Sequence, residues 1–300
     1  MFNTFEEIRK AAVDIENAKV AVPMGFDKAT LEALLMATDE GEAEAVIVAP
    51  KEKVMDTLAL LGRDLPQGMT IIDTDDESEA ARKAVELVST GDATFLMKGM
   101  LKTSVFLRSI LDEEVGLRTG RVLSHVVAVK THLMDRMVLV SDGGMNITPD
   151  REEIKQIIQN SVEMAVRLGV ERPKVALLSA VEVVNPKMPE TVMFAEIAEE
   201  GLDGCDILGP VAVDGALDPE SVEIKKIKGP VAGRADILIV PYIATGNIMC
   251  KALMYMAGAE ISGLVMGAAA PIVMLSRSDT PQTKLNSLAL GVVVAGCDNV

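Results

Sequence analysis

Three hundred residues, 49% of them apolar, can bury a large core in one sizeable domain or two medium ones. Basic residues number 29 against 45 acidic ones, for a formal charge of −16; nucleic acid is excluded as the main partner, while a small polyanion needs only a few local cations. The longest uncharged run, residues 261–276, contains glycines and Pro271 and is short for a membrane span.

The opening stretch TFEEIRKAAVDIENA reads as an amphipathic helix and leads into the apolar run KVAVPM. A helix then starts near Asp27, followed by AEAVIVAP, a helix over 51–61, MTIID, an acidic-capped helix over 75–89, and ATFLMKG. The alternation resumes with VLSHVVAV, MVLVSD, a long helix over 149–168, KVALLSA and a helix near 189–200. CDILGPVAV, ADILIVPY, a helix over 247–257 and the final apolar segments complete the chain. Short apolar runs separated by helical patterns predict βαβ units and an α/β fold with mostly parallel sheets. Two α/β lobes with a cleft between them are expected. The first comprises residues 1–130 plus 264–300, because the last segment is as apolar as any core element; the second comprises residues 131–263.

Cys205, Cys250 and Cys297 are far apart, and the acidic N-terminus is unlike a secretion signal, so a reducing, cytoplasmic setting is expected. With only His125 and His132 available, no Cys/His cluster has metal-ligand spacing. The chain also lacks G-x-G-x-x-G, a P-loop and G-x-S-x-G.

Ligands of open parallel sheets bind beyond the carboxyl ends of the strands. Five polar places follow an apolar run and precede a helix: Lys98-Gly99 to Thr103-Ser104, Ser141-Asp142 to Asn146, Asn185-Pro186-Lys187, Gly246-Asn247 with Lys251, and Ser276 to Asp279. Three helices open with Thr148-Pro149, Asp218-Pro219 and Thr280-Pro281, where a capping residue before proline suits the first turn. Most of these have a plain structural reading: Thr148, Asp218 and Thr280 as caps, Asn185-Pro186 as a turn, Lys251 as a solvated helix residue and His125 as a core histidine. The run from Ser276 to Asp279 differs, because Arg277, Asp279 and Lys284 interrupt two segments, 261–276 and 285–297, that carry no charge. Charges between core elements are costly unless paired or lining a cleft.

Together, KGMLKTSVFLRSILDEEVGLRTG (98–120), VEVVNPKMPET (181–191), GPVAVDGAL (209–217), GPVAGRADILIVPYIATGNIMCKAL (229–253) and SRSDTPQTKLNS (276–287) resemble the phosphate acetyl/butyryltransferase family, most nearly its butyryl branch. The resemblance implies an isocitrate/isopropylmalate-dehydrogenase-like pair of domains, a homodimer or larger homo-oligomer, and no cofactor. It implies the reaction of acyl-CoA with phosphate to give acyl phosphate and CoA, butyryl preferred. Ser276 and Arg277 match the family's Ser-Arg pair at the transfer centre, and Asp279 stands where the butyryl type has a carboxylate. The acetyl type has its carboxylate seven residues after the serine, at a position occupied here by Thr283. Arg118 matches an arginine that binds phosphate or CoA phosphate. Gly246, Asn247 and Lys251 match the GN-x3-K element. Lys98, Gly99, Thr103, Asn146 and Asp214 complete the expected substrate-binding set. Butyryl relatives carry alanine-like residues where this chain has Asp142-Gly143-Gly144-Met145-Asn146, so the acyl-pocket shape is not carried across. The rivals are a phosphate acetyltransferase, a metal- and NAD-dependent decarboxylating dehydrogenase of similar fold, and a non-catalytic binding protein.

Overall fold

The computed structural model describes residues 2–276 and 279–296. They divide into two compact units. The first comprises residues 4–121 and the described residues from Ser262 onward; the second comprises residues 122–261 with Phe2 and Asn3.

The first unit begins α1 (Phe5–Val13), β1 (Lys19–Pro23), α2 (Lys28–Asp39), β2 (Glu44–Val48), α3 (Lys51–Leu60), β3 (Met69–Ile72), α4 (Glu77–Ser89), β4 (Phe95–Met97) and α5 (Thr103–Ile110). Its helices start where short polar side chains satisfy free N–H groups. Thr4 Oγ1 accepts from Glu7 N (3.2 Å) and Asp27 Oδ1 from Thr30 N (3.0 Å); Asp76 Oδ1 accepts from Ser78 N (2.9 Å) and Glu79 N (2.8 Å). In α1 the buried residues Phe5, Ile8 and Ala12 recur at three and four, which turns one stripe to the core.

The second unit runs β5 (Ser124–Lys130), β6 (Val138–Ser141), α6 (Arg151–Arg167), β7 (Lys174–Leu178), α7 (Pro189–Glu200), β8 (Asp206–Val211), α8 (Val213–Leu217), α9 (Pro219–Lys225), β9 (Ile237–Ile239) and α10 (Ile243–Ala257). The chain returns to the first unit through β10 (Glu260–Met266), β11 (Ile272–Val273) and α11 (Pro281–Gly296).

In the first unit the strand order is β3-β2-β1-β4-β11-β10, parallel except that β10 runs against β11. In the second it is β5-β6-β9-β7-β8, parallel except that β5 runs against β6. The expected mostly parallel α/β fold is present. Both antiparallel pairs join strands through stretches too short for a crossover, which needs about a dozen residues.

Two predicted starts shift. α6 is capped by Asp150, not Thr148: Asp150 Oδ1 accepts from Glu153 N (2.9 Å) and Glu153 Oε2 from Asp150 N (2.8 Å). This reciprocal box satisfies two end groups and leaves Pro149 outside the helix. α10 begins at Ile243, so Gly246 and Asn247 lie within its first turns rather than ahead of it. Asp218 and Thr280 do cap: Asp218 Oδ2 accepts from Ser221 N (3.0 Å), and Thr280 Oγ1 from Thr283 N (3.2 Å).

Candidate active site

The candidate residues fall in both units. In the first, Lys98, Gly99, Ser276 and Asp279 gather at the carboxyl ends of β1, β4 and β11, whereas Arg118 is tied to the turn between β10 and β11, at the amino end of β11. Ile272 and Val273 of β11 lie beside Leu96 and Met97 of β4, and Lys98 N donates to Val273 O at 2.9 Å. Lys98 and Gly99 therefore leave the sheet next to the segment leading to Ser276.

Gly99 meets a backbone constraint. A Cβ there would lie 2.4 Å from Pro23 O and 2.5 Å from Met24 O, so only glycine lets the loop after β4 pass the end of β1. Met100 N closes that contact on Met24 O (2.8 Å), and Met24 has a φ of 52°. A methionine in the left-handed region stores strain where neighbours hold it in place.

Ser276 is exposed, and Asp279 half-buried. They form a closed turn: Ser276 N donates to Asp279 Oδ2 at 2.7 Å, and Asp279 N to Ser276 O at 3.2 Å. One oxygen of the candidate base thus shapes the serine's backbone. Arg277 lies outside the described residues, as does Cys297.

Arg118 is exposed, with Nη1 3.5 Å from Glu113 Oε1. Such a surface pair is weak and easily exchanged for a ligand. The backbone around Arg118 is fastened: Ala269 N donates to Leu117 O at 2.9 Å, and Thr119 Oγ1 donates to Gly267 O. Thr103 is exposed at the first residue of α5, a helix whose N-cap, Lys102, makes no side-chain capping bond. A hollow of about 470 Å³ at the opposite, amino ends of β1 and β2 is lined by Glu16, Glu42 and Glu44; its charge has the wrong sign for phosphate.

In the second unit the centre is Asp142, which is 3% exposed. Its Oδ1 accepts from Gly144 N (2.8 Å) and Met145 N (3.0 Å), and its Oδ2 from Asn146 N (3.1 Å) and Asn146 Nδ2 (2.6 Å). Asn146 Nδ2 also donates to Leu123 O at 2.9 Å, so the predicted ligand residue is already spent on its own loop. Gly246 presses on that loop: a Cβ there would lie 2.8 Å from Gly143 Cα. Asn247 Nδ2 donates to Gly143 O at 3.2 Å. Gly246 and Asn247 thus join α10 to the loop after β6, and Lys251 stands exposed one turn along.

Asp214 lies apart from this group. Its carboxylate binds Lys225 Nζ at 2.8 Å, and that hydrogen bond holds the carboxyl below its ordinary range. Burial pushes the Cys250 thiol up to about 11 despite the charge of Lys251, so it is protonated and unreactive at neutral pH. Among the described residues no group of three or more His, Cys, Asp or Glu side chains could hold a metal ion, and no helix is long and apolar enough to cross a membrane.

The family model described as phosphate acetyl/butaryl transferase matches residues 66–292, a window containing every candidate residue above. The chain belongs to this family. The phosphate butyryltransferase of Clostridium acetobutylicum is 42% identical over 300 residues, covering 99% of each chain. A phosphate acetyltransferase of Thermotoga maritima is 39% identical over 281 residues, 92% of this chain and 95% of its own. Among solved structures, a branched-chain phosphotransacylase from Enterococcus faecalis superposes with a TM-score of 0.84 at 33% identity, covering 93% of this chain and 99% of that one.

Sequence reasoning places Asp142 in one of the five candidate polar stretches without giving it a role; an acid directly before two glycines suits a turn whose N–H groups need holding. Lys284 stands out in the sequence only as a charge between apolar segments.

Proposed function

We propose that the chain is a phosphate acyltransferase that moves a short acyl group, butyryl preferred, between CoA and inorganic phosphate. What carries this reading is the convergence of Lys98, Gly99 and the Ser276–Asp279 turn at adjacent strand ends, inside the matched family window. The two groups of residues would serve one interdomain cleft, as in isocitrate- and isopropylmalate-dehydrogenase-like enzymes.

In the forward direction a phosphate oxygen attacks the thioester carbonyl, the C–S bond breaks and the thiolate leaves. Phosphate arrives as an anion, so the chief tasks are to hold two anions together and to stabilise the tetrahedral oxyanion. Arg118 and Lys98 supply positive charge, and Arg277 is assigned the same task from sequence; a guanidinium grips phosphate oxygens in a bidentate fork. The Ser276 hydroxyl is the proposed oxyanion donor, worth about 3–4 kcal/mol for a well-aimed group. In reverse, the CoA thiol must lose a proton, and Asp279 is the proposed acceptor. Aligning the two substrates is itself worth on the order of 7 kcal/mol or more. The proposal needs no covalent acyl-enzyme and no cofactor beyond the substrates; Gly246, Asn247 and Lys251 would contact CoA, and the setting would be the cytoplasm.

We also propose a homodimer or larger homo-oligomer. The supporting observation is α10, which buries only Gly246 while Ile248, Tyr255 and Met256 are 68%, 75% and 86% exposed. Three large apolar side chains exposed on one helix make a patch of the kind that marks a protein–protein interface. A second copy is the fitting occupant, since most other surface of this acidic chain would repel itself.

A thiol-release assay with phosphate tests the activity across acetyl-, butyryl-, isobutyryl- and valeryl-CoA. Butyryl-CoA should be best, with overlap to its neighbours because each methylene discriminates by only about 1–3 kcal/mol. Similarity to the Thermotoga maritima phosphate acetyltransferase keeps the acetyl reading as second; a clear acetyl preference selects it. Thiol release with none of the four overturns both, and a thermal shift with NAD and magnesium but not CoA would select the dehydrogenase instead.

A further inference from the structure

Lys284 lies in the first turn of α11 and is 5% exposed. Among the described residues its side chain has no hydrogen bond and no ion pair. Two other lysines of the chain do reach carboxylates: Lys155 Nζ lies 2.5 Å from Glu200, and Lys225 Nζ 2.6 Å from Glu182. Its stem is packed, yet its ammonium is not one of the buried polar atoms left without a partner, so the charge reaches the edge of the packing, where an anion from outside the chain can meet it.

Register locates it. Gly291 of α11 lies over Phe95, the first residue of β4, since a Cβ there would meet Cε2 at 2.7 Å. Ser287 Oγ lies 3.1 Å from Ser262 Oγ and 3.3 Å from Gly263 N on β10. Val265 pairs Ile272, and Ile272 lies beside Leu96; two residues on, that register brings Gly263 level with Lys98. Lys284 shares the helix face of Ser287 and Gly291 and lies about 5 Å further toward the helix start. It therefore belongs just beyond the carboxyl end of β4, at the level of the Gly99 loop. α11, a helix of 16 residues, starts at the same end, where Pro281 has no N–H and Thr280 already accepts from Thr283 N at 3.2 Å and Lys284 N at 3.1 Å.

We infer that Lys284 binds a phosphate group of the substrates, inorganic phosphate foremost. The inference rests on the acyltransferase reading and adds to it a cation that the family resemblance did not supply. Lys284 holds the nucleophile against its repulsion by CoA.

The test compares Lys284→Met, which keeps the packed stem, with Lys284→Arg in the full chain. In steady state, Lys284→Met should raise the KM for phosphate by about tenfold or more, with the KM for butyryl-CoA nearly unchanged; Lys284→Arg should recover most of the loss. In thermal melts with inorganic phosphate alone, the stabilisation seen with the parent protein should shrink in Lys284→Met, while the unliganded melting temperature stays level or rises. A parallel arm with CoA alone separates the source: loss of the CoA effect instead assigns the contact to a CoA phosphate. A lower unliganded melting temperature with both KM values and both ligand shifts intact makes Lys284 a packing residue and overturns the inference. If Lys284→Met does not fold, Lys284→Gln against Lys284→Arg gives the same comparison. Absence of acyl transfer in the parent protein defeats the acyltransferase reading, yet the phosphate melts still judge Lys284.

Discussion

α10 and α11 are helices of 15 and 16 residues with one charged residue each, and α10 is the more apolar of the two, yet it is α11 that is buried. From Lys284 to Val294 every residue of α11 is buried, packed on α1, α2 and the strands β4 and β11. α10 buries only Gly246. Apolar composition says that a helix needs cover; topology decides whether its own chain provides it. α11 runs across a sheet between two other helices and is covered by them, whereas α10 leaves Ile248, Tyr255 and Met256 exposed.

The largest effect expected is on assembly. Tyr255→Asp combined with Met256→Glu adds two buried charges per protomer to the proposed interface and should leave monomers only, as read by light scattering. An unchanged mass would remove the partner from the comparison and make α10 an ordinary exposed helix. Next is Leu288→Ala in α11, a fully buried site, expected to cost about 2–5 kcal/mol of unfolding free energy. Tyr255→Ala in dilute, monomeric protein should stay within about 0.5 kcal/mol. Equal losses in denaturant melts would break the contrast.

Gly246→Ala tests the most deeply buried point of α10. Its added methyl would crowd Gly143 Cα at 2.8 Å and Val240 Cγ2 at 2.9 Å, and overpacking of this kind costs about 1–3 kcal/mol. The smallest effect concerns Cys250, whose thiol is pushed up to about 11 by burial. Alkylation should be slow at neutral pH and accelerate only toward about 11, and Cys250→Ser should turn over normally. Because the folded thiol holds its proton more tightly than the unfolded one, the linked stability is present below about 9 and fades as pH rises toward about 11. Fast labelling at neutral pH would place Cys250 in a more open environment than the interior face of α10.

The alternation of helices and strands was legible because Asp27, Asp76, Asp218 and Thr280 are both chemical caps and sequence signals. The start of α10 was not. Pro241 and Gly246 look like loop residues, yet Pro241 precedes the helix and Gly246 serves a close approach four residues into it. At Thr148-Pro149 the expected cap gives way to Asp150, whose reciprocal bond with Glu153 starts the helix two residues later. The direction of β5 and β10 is hidden for a different reason: an antiparallel strand in a mostly parallel sheet has the same apolar run as its neighbours. Of the site, the Ser276–Asp279 turn stood out by charge contrast alone. The ties that commit Asn146 to Asp142 and Asp214 to Lys225 depend on three-dimensional neighbours that spacing does not specify.

The return of the chain through β10, β11 and α11 also sets a schedule for biosynthesis. Residues 122–261 emerge from the ribosome as an uninterrupted stretch and can close their own core as they appear. Residues 4–121 come out first but cannot finish: β4 waits for β11 to pair with its free edge, and the inner faces of α1 and α2 wait for α11. The earliest-made part of the protein is therefore the last to become complete, and its unpaired strand edge stays open to wrong partners until nearly the whole chain has been translated.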